Sequence, residues 1–563
     1  MRAPGLLPWG CADLLLWSHG PPPRDHLIDA PVDRLEIWER GDALRSKPVL
    51  PASRGGPPPP RASGSGLPDR DLTRREALSR GGRLLIAAAG GQAAATWAGS
   101  AASGAKCVHP NWGQLERSLR GSLLRPGEAG YRAGSAAENH LYASVLPAGI
   151  ALCAGVKDVQ TCVRWARENG VPLVARSGGH SFAGYSRTTG LQIDLRRMKS
   201  ATVDIHSGTL RATGAVRFSD LDPVLKPHNL SIPSGQCPPV GLNGFTLGGG
   251  FGFYSRTHGL AIDHLIRTEV VLANGDTVTA DRSRHSDLFW ACRGGGGGNY
   301  GINTSMTFSL FPVGRVSVCK CQWSKNLETV LNEFQALFEH SPNTFSLIVR
   351  ITPAPRAARS SGPTVIAFGH YFGPKHELLE ILEPVLLAAP TRRQQFLDLD
   401  FWKAREYLAD LPGRPQSYVE RSRYVEGPMS DAGVATVLDW TERWPGAGSS
   451  EGRLDYWLWG GEMNTPSPGS TAFVHRRARS LFAVGANWAP FTTRSQARPL
   501  INWVNDTWAA VGAHATRYAY QNFSDPALKD WNAYYGANLP RLIRIKRAYD
   551  PHNLFKFPQS IPT

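Results

Sequence analysis

Short apolar runs alternate with amphipathic ones from Ile150 onward. The run "IALCAG" (150–155) reads as a strand, and "VKDVQTCVRWARENG" (156–170) puts Val159, Cys162, Val163 and Ala166 at helical spacing before Gly170 stops it. "VPLVA" (171–175) is continuously apolar, as a buried strand is, and it delivers the chain into "RSGGHS" (176–181). Further strands are predicted at "GLQIDL" (190–195), "ATVDI" (201–205) and "TLRATGA" (209–215). In "VVLANGDTVTA" (270–280) two alternating runs flank Asn274-Gly275, a strong hairpin signal. Interleaved strands and helices of this kind predict an α+β fold. After about Pro312 the chain turns toward tryptophan and long helical stretches, which marks a second domain. Its last residues, ending "YDPHNLFKFPQSIP", are aromatic and charged.

Residues 1–69 carry no such period; "RGGPPPPRASGSG" is typical, and the stretch reads as disordered or as preceding the true start. Residues 70–105 differ again. Thr73-Arg74-Arg75 and Leu78 lead into a moderately apolar stretch from Leu84 and then into small residues ending at Ala105. That order resembles a twin-arginine export signal, which implies an exported protein that engages the export machinery for folded proteins. A basic amphipathic helix is the alternative, weakened by glycine pairs at 81–82 and 90–91. Elsewhere no apolar run approaches the ~20 residues of a membrane span.

Composition narrows the picture. With 563 residues, 42% apolar and 19% charged, the chain is of enzyme size and can bury a large core. Its net charge of +16 is scattered rather than gathered into basic runs, so no specific nucleic-acid partner is expected. Eight cysteines are too few for a disulfide scaffold, and no paired CxxC motif offers a zinc site. Cys153 and Cys162 are open to pairing, or to burial as free thiols.

Glycine supplies the chemistry. Three clusters stand out: "RSGGHS" (176–181), "CPPVGLNGFTLGGGFG" (237–252) and "CRGGGGGNYG" (292–301). Such loops let backbone approach a ligand closely, and their N–H groups suit a pyrophosphate. None is a P-loop, and none fits the dinucleotide fingerprint in register. No companion ligands stand beside His180, so no metal is expected.

The stretches "RSGGHSFAGYS", "GQCPPVGLNGFTLGGGFGFYSRTHGLAIDHL", "DLFWACRGGGGGNYGI" and "YYGANLPRLIRIKRAYDPHNLFKFPQSIP" resemble the FAD-linked oxidases of the berberine bridge enzyme group, within the vanillyl-alcohol-oxidase superfamily. The resemblance implies a two-part PCMH-type FAD-binding domain over 139–313. A substrate domain with an antiparallel sheet and flanking helices would follow over 314–515, and a C-terminal segment over 516–563 would return to the first. It implies FAD bonded twice, through His180 to the 8α-methyl and through Cys237 to C6 of the ring. Imidazole and thiolate are the nucleophilic side chains that suit such bonds. Carried over likewise, Arg176, Ser177, Gly178, Gly179 and Ser181 would cradle the pyrophosphate. Gly241, Gly244, Gly248, Gly249, Gly250 and Gly252 would run along the cofactor. The loop from Gly294 to Ile302 would meet its adenine side, and Asn553 to Gln559, with Phe557, would close the site.

The implied reaction is oxidation of an alcohol, a saccharide or a C–N/C–C bond of a small molecule, with O2 as acceptor. It requires a base. Two family positions for that base are changed, to Phe523 in "YQNFSD" and Gly485 in "LFAVGANW". Tyr520, Tyr535, Tyr456 and Glu462 become the candidates. Each is also open to an ordinary packed or solvated role. Trp457 and Trp459 fall on one face of a strand, as core or as a platform for a ring substrate. His475 and Arg476 match a structural pair. Missing bases also leave two alternatives: a flavin-holding protein with little catalysis, or a dehydrogenase using another acceptor.

Overall fold

In the computed structural model the described residues are 110–563, except 411–414 and 447–448; the expectations for residues 1–105 lie outside them. Three principal sheets organise the chain. In the first, β1 (Ser122–Leu124), β2 (Gly149–Leu152), β3 (Leu173–Arg176) and β4 (Leu191–Asp194) lie in the order β1-β2-β4-β3. β4 pairs parallel with both β2 and β3. The predicted helix forms at Val156–Glu168 and makes the crossover from β2 to β3. Val159, Cys162, Val163 and Ala166 are buried along it, as the spacing requires, together with Asp158 and Trp165.

The second sheet is antiparallel. β5 (Ala201–Asp204) and β6 (Thr209–Thr213) precede the short β7 (Leu230–Ser231); β8 (Leu265–Val271), β9 (Thr277–Asp281) and β10 (Ile302–Ser309) follow. The order is β5-β6-β10-β8-β9, while β7 pairs with β11 (Phe311–Pro312). The β8–β9 turn is the predicted hairpin, with Gly275 at φ +84°.

The third sheet has seven antiparallel strands. They are β12 (Arg315–Trp323), β13 (Phe345–Thr352), β14 (Thr364–Tyr371), β15 (Arg393–Asp400), β16 (Ser417–Val425), β17 (Glu451–Leu458) and β18 (Ser480–Trp488). Their order is β15-β12-β14-β13-β17-β18-β16. Period-two alternation divides its faces. Leu347, Val349, Leu454, Tyr456, Phe482 and Val484 pack with helices 327–340, 431–442 and 494–511 in one core. The intervening residues Arg350, Arg453, Asp455 and Trp457 point the other way, toward a cavity.

Cys153 and Cys162 are both buried with unbridged sulfurs. Among the described residues no helix is long and apolar enough to cross a membrane.

Candidate active site

A cavity of about 350 Å³ lies where the three glycine clusters, the C-terminal segment and the polar face of the third sheet converge. β3 ends by delivering Ser177, Gly178, Gly179, His180 and Ser181 to its wall. Packed against them, the helix Leu242–Leu247 contributes Asn243, Gly244 and Leu247; a Cβ at Gly241, its N-cap, would lie 2.5 Å from the Gly178 nitrogen. The loop residues Gly296, Gly297, Gly298, Asn299, Gly301 and Ile302 line it from a third side, and Phe555, Phe557 and Gln559 from a fourth.

The glycines divide into two kinds. A Cβ at Gly244 would meet nothing within 4 Å, and one at Gly297 or Gly298 only ordinary contacts at 3.6 and 3.8 Å, so these positions open onto the cavity. Gly248, Gly249, Gly250 and Gly252 are off the wall. Their missing side chains admit protein instead: a Cβ at Gly248 would lie 2.0 Å from Asn522 Oδ1, and one at Gly252 1.9 Å from the Ser234 carbonyl. Gly249 and Gly250 press on Phe473 and Phe245. Arg176 is also off the wall, because its Nη2 donates to the Ala136 carbonyl at 2.7 Å. Asn553 stays outside at a positive-φ turn, φ +51°, that turns the chain toward Phe555 and Phe557.

Polar atoms on the wall await a partner. Ser177 Oγ, Asn243 Oδ1, Gln521 Oε1 and Trp457 Nε1 are buried without a hydrogen bond. Buried polar groups are rarely left so. An open glycine cradle with unpartnered donors and acceptors fits a large polar cofactor such as FAD.

His180 and Cys237 line this same cavity. His180 Nε2 is 3.7 Å from a Glu138 carboxylate oxygen. The Cys237 thiol donates to Asp410 Oδ2 at 3.6 Å. Burial pushes that thiol well up, and the Asp410 charge adds to the effect.

Of the four base candidates, two leave the site. Tyr456 points into the opposite core, where its hydroxyl meets Met429 Sδ at 3.1 Å, because alternation places it opposite Trp457. Glu462 is exposed on a short 3-10 turn at Gly461–Met463. Tyr520 and Tyr535 do reach the wall. Tyr520 accepts from the Gly250 amide at 3.1 Å and from Asn522 Nδ2 at 2.9 Å. Burial pushes both phenols far up, so at neutral pH each holds its proton and is a poor acceptor. Phe523 lines the cavity too, stacked on Phe182 at 5.2 Å and 6°. Trp457 and Trp459 share a face, both against Phe251, but only Trp457 reaches the cavity. His475 and Arg476 are structural: the ring bonds the Tyr534 carbonyl and the guanidinium clamps Asp263 at 2.7 and 2.9 Å.

Sequence reasoning missed a charged cluster on the sheet. Glu420, Gly485 and Arg453 are register partners on β16, β18 and β17, and in the next row Asp455 faces Arg350. Arg453 Nη2 bonds Glu420 Oε2, Arg350 clamps Asp455 at 2.8 and 2.9 Å, and Arg453 approaches Asp455 at 3.6 Å. Two cations thus balance two anions on a buried wall. The traceable signal is charge at alternate positions in otherwise apolar strands, as in "EGRLDYWLW".

Comparison with known proteins meets this geometry. An FAD-binding domain family matches residues 147–281, and the berberine and berberine-like family matches 519–562. The uncharacterized FAD-linked oxidoreductase YgaK of Bacillus subtilis is 32% identical over 425 residues, 73% of this chain and 90% of the relative. Tetrahydroberberine oxidase of Argemone mexicana is 27% identical over 450 residues, 72% of this chain and 80% of that one. The solved structure of berberine bridge enzyme-like 1 from Physcomitrella patens superposes with a TM-score of 0.72 at 30% identity, covering 80% of this chain and 98% of its own. With both matched segments lining one cavity, the chain belongs to the berberine bridge enzyme-like family of FAD-linked oxidoreductases.

Proposed function

We propose that the cavity holds FAD bonded through both His180 and Cys237, and that the enzyme oxidises a hydroxyl-bearing small molecule with O2 as the final acceptor. The observation that carries this reading is that His180 and Cys237 line one cavity with the open glycines 244, 297 and 298. Ser177, Asn243 and the glycine-loop backbone would hold the cofactor. Bound there, FAD supplies a two-electron acceptor. Asp410, hydrogen-bonded to the Cys237 thiol, is placed to take its proton when the sulfur reacts. Phe182, Phe523 and Trp457 keep water from the substrate side, while Glu420 and Arg453 offer polar contacts to a hydroxyl.

Anaerobic mixing of the holoenzyme with cellobiose, cinnamyl alcohol and further sugars, alcohols and amines tests the reading. Bleaching of the flavin by one of them, followed in air by peroxide, is the expected result. Bleaching without peroxide would make the protein a dehydrogenase. Phe523 and Gly485 favour a second reading, a flavin holder without turnover. Its signature is an inert wild type with activity only in Phe523→Tyr.

A further inference from the structure

We infer that Glu420, held by Arg453, is the catalytic residue that accepts the substrate's proton, in the room that Gly485 leaves on the neighbouring strand. The inference rests on reading the cavity as an oxidation site.

Gly485 sits between Glu420 and Arg453 in the sheet register. A Cβ there would lie 3.4 Å from Glu420 Oε2 and 3.5 Å from Arg453 Nε, so a longer side chain would have to displace the pair. The side chain of Glu420 is 4% exposed, yet the residue lines the cavity beside Trp457 and Phe523. Titratable groups around it come from three strands: Arg453 and Asp455 on β17, Arg350 on β13 and Tyr418 on its own strand. Burial raises the carboxyl above its ordinary value, with Arg453 opposing. The Arg453 guanidinium bonded to Glu420 favours the charged carboxylate, the form that can receive a proton.

The step balances simply. The substrate O–H bond breaks and a carboxyl O–H bond forms on Glu420. The carbinol carbon gives up its hydrogen with two electrons, so the alcohol is oxidised to a carbonyl while FAD is reduced. Glu420 then returns the proton to solvent.

Glu420→Gln keeps the shape and a bond to Arg453. In holoenzyme bleached anaerobically by the compound that works on wild type, this variant is expected to keep its flavin content. Its bleaching rate should fall about 100- to 10,000-fold, the usual worth of a positioned base. The acid limb of the wild-type rate profile should disappear. A rate within about threefold of wild type in correctly loaded E420Q overturns the inference, because removing a base lowers the chemical step itself. An E420Q chain that fails to load is replaced by Glu420→Asp, which should keep an acid limb at reduced rate; an unreduced rate there also overturns it. If no compound bleaches wild type, the functional reading fails separately. Infrared titration of the oxidised holoenzyme then decides for Glu420. A carboxyl band that titrates in wild type and vanishes in E420Q supports it, and an unchanged band overturns it.

Discussion

Gly244→Leu separates what the fold needs from what the cofactor needs. Gly244 lies inside the helix Leu242–Leu247, where glycine costs roughly 0.8–1 kcal/mol against a good helix former. Outside its chain neighbours and its own helix's backbone, no protein atom stands within 4 Å of a Cβ there, so packing has no steric claim on the glycine. The apo variant should therefore be as stable as apo wild type or gain up to about 1 kcal/mol, a rise of about 1 °C in a chain this long. The new side chain instead projects into the cradle. Overpacking typically costs about 1–3 kcal/mol, which weakens cofactor capture by about 5- to 150-fold. The assay compares flavin per chain after expression with the melting temperature of apo protein. Flavin should fall about fivefold or more with no loss of apo stability. Wild-type flavin loading would refute the placement of the cofactor against this helix. A drop of several degrees in the apo protein would refute the claim that the fold does not need the glycine.

Three further outcomes follow from the same structure. Lys546 is fully buried and donates to Asp550 at 2.6 Å and to the Asn299 and Phe555 carbonyls at 2.7 Å each, tying the C-terminal segment to the glycine loop. Lys546→Met leaves the Asp550 charge unpaired, so urea unfolding should show a loss of about 3–5 kcal/mol, with flavin content falling too. Tyr456→Phe and Glu462→Gln should leave the rate of flavin bleaching unchanged, since neither side chain reaches the cavity. Acid should destabilise the fold through His370 and His475, both buried and both lowered to about 3, by burial first. Above pH 6.5 folded and unfolded chains bind equal protons at these sites. As pH falls from 6.5 toward 3 the unfolded chain binds more, and stability drops by about 1.4 kcal/mol per pH unit per histidine. His370→Phe, at a ring whose nitrogens are both unpartnered, should lessen that slope in urea titrations at pH 6 and pH 5.

The cofactor side of the site was legible in the sequence because its signals are local. "RSGGHS" follows one short strand, and the turn at Asn274-Gly275 is a contiguous hairpin. Even there, composition overstated the cradle: Gly248, Gly249, Gly250 and Gly252 look like their neighbour Gly244, yet they admit Asn522, Phe473, Phe245 and the Ser234 carbonyl rather than a ligand. The substrate side was illegible because it is assembled by register. Glu420 meets Arg453 across 33 residues, and Arg350 meets Asp455 across 105. Alternation alone could have removed Tyr456 once Trp457 was assigned to the cavity. Finding Glu420 required knowing that β16 lies beside β18.

The most direct measurement of the central claim is the intact mass of denatured protein for wild type, His180→Ala, Cys237→Ala and the double variant. Wild type and both single variants should retain the mass of one FAD after acid precipitation, and only the double variant should release it. Flavin set free from the wild-type chain by acid would contradict the account.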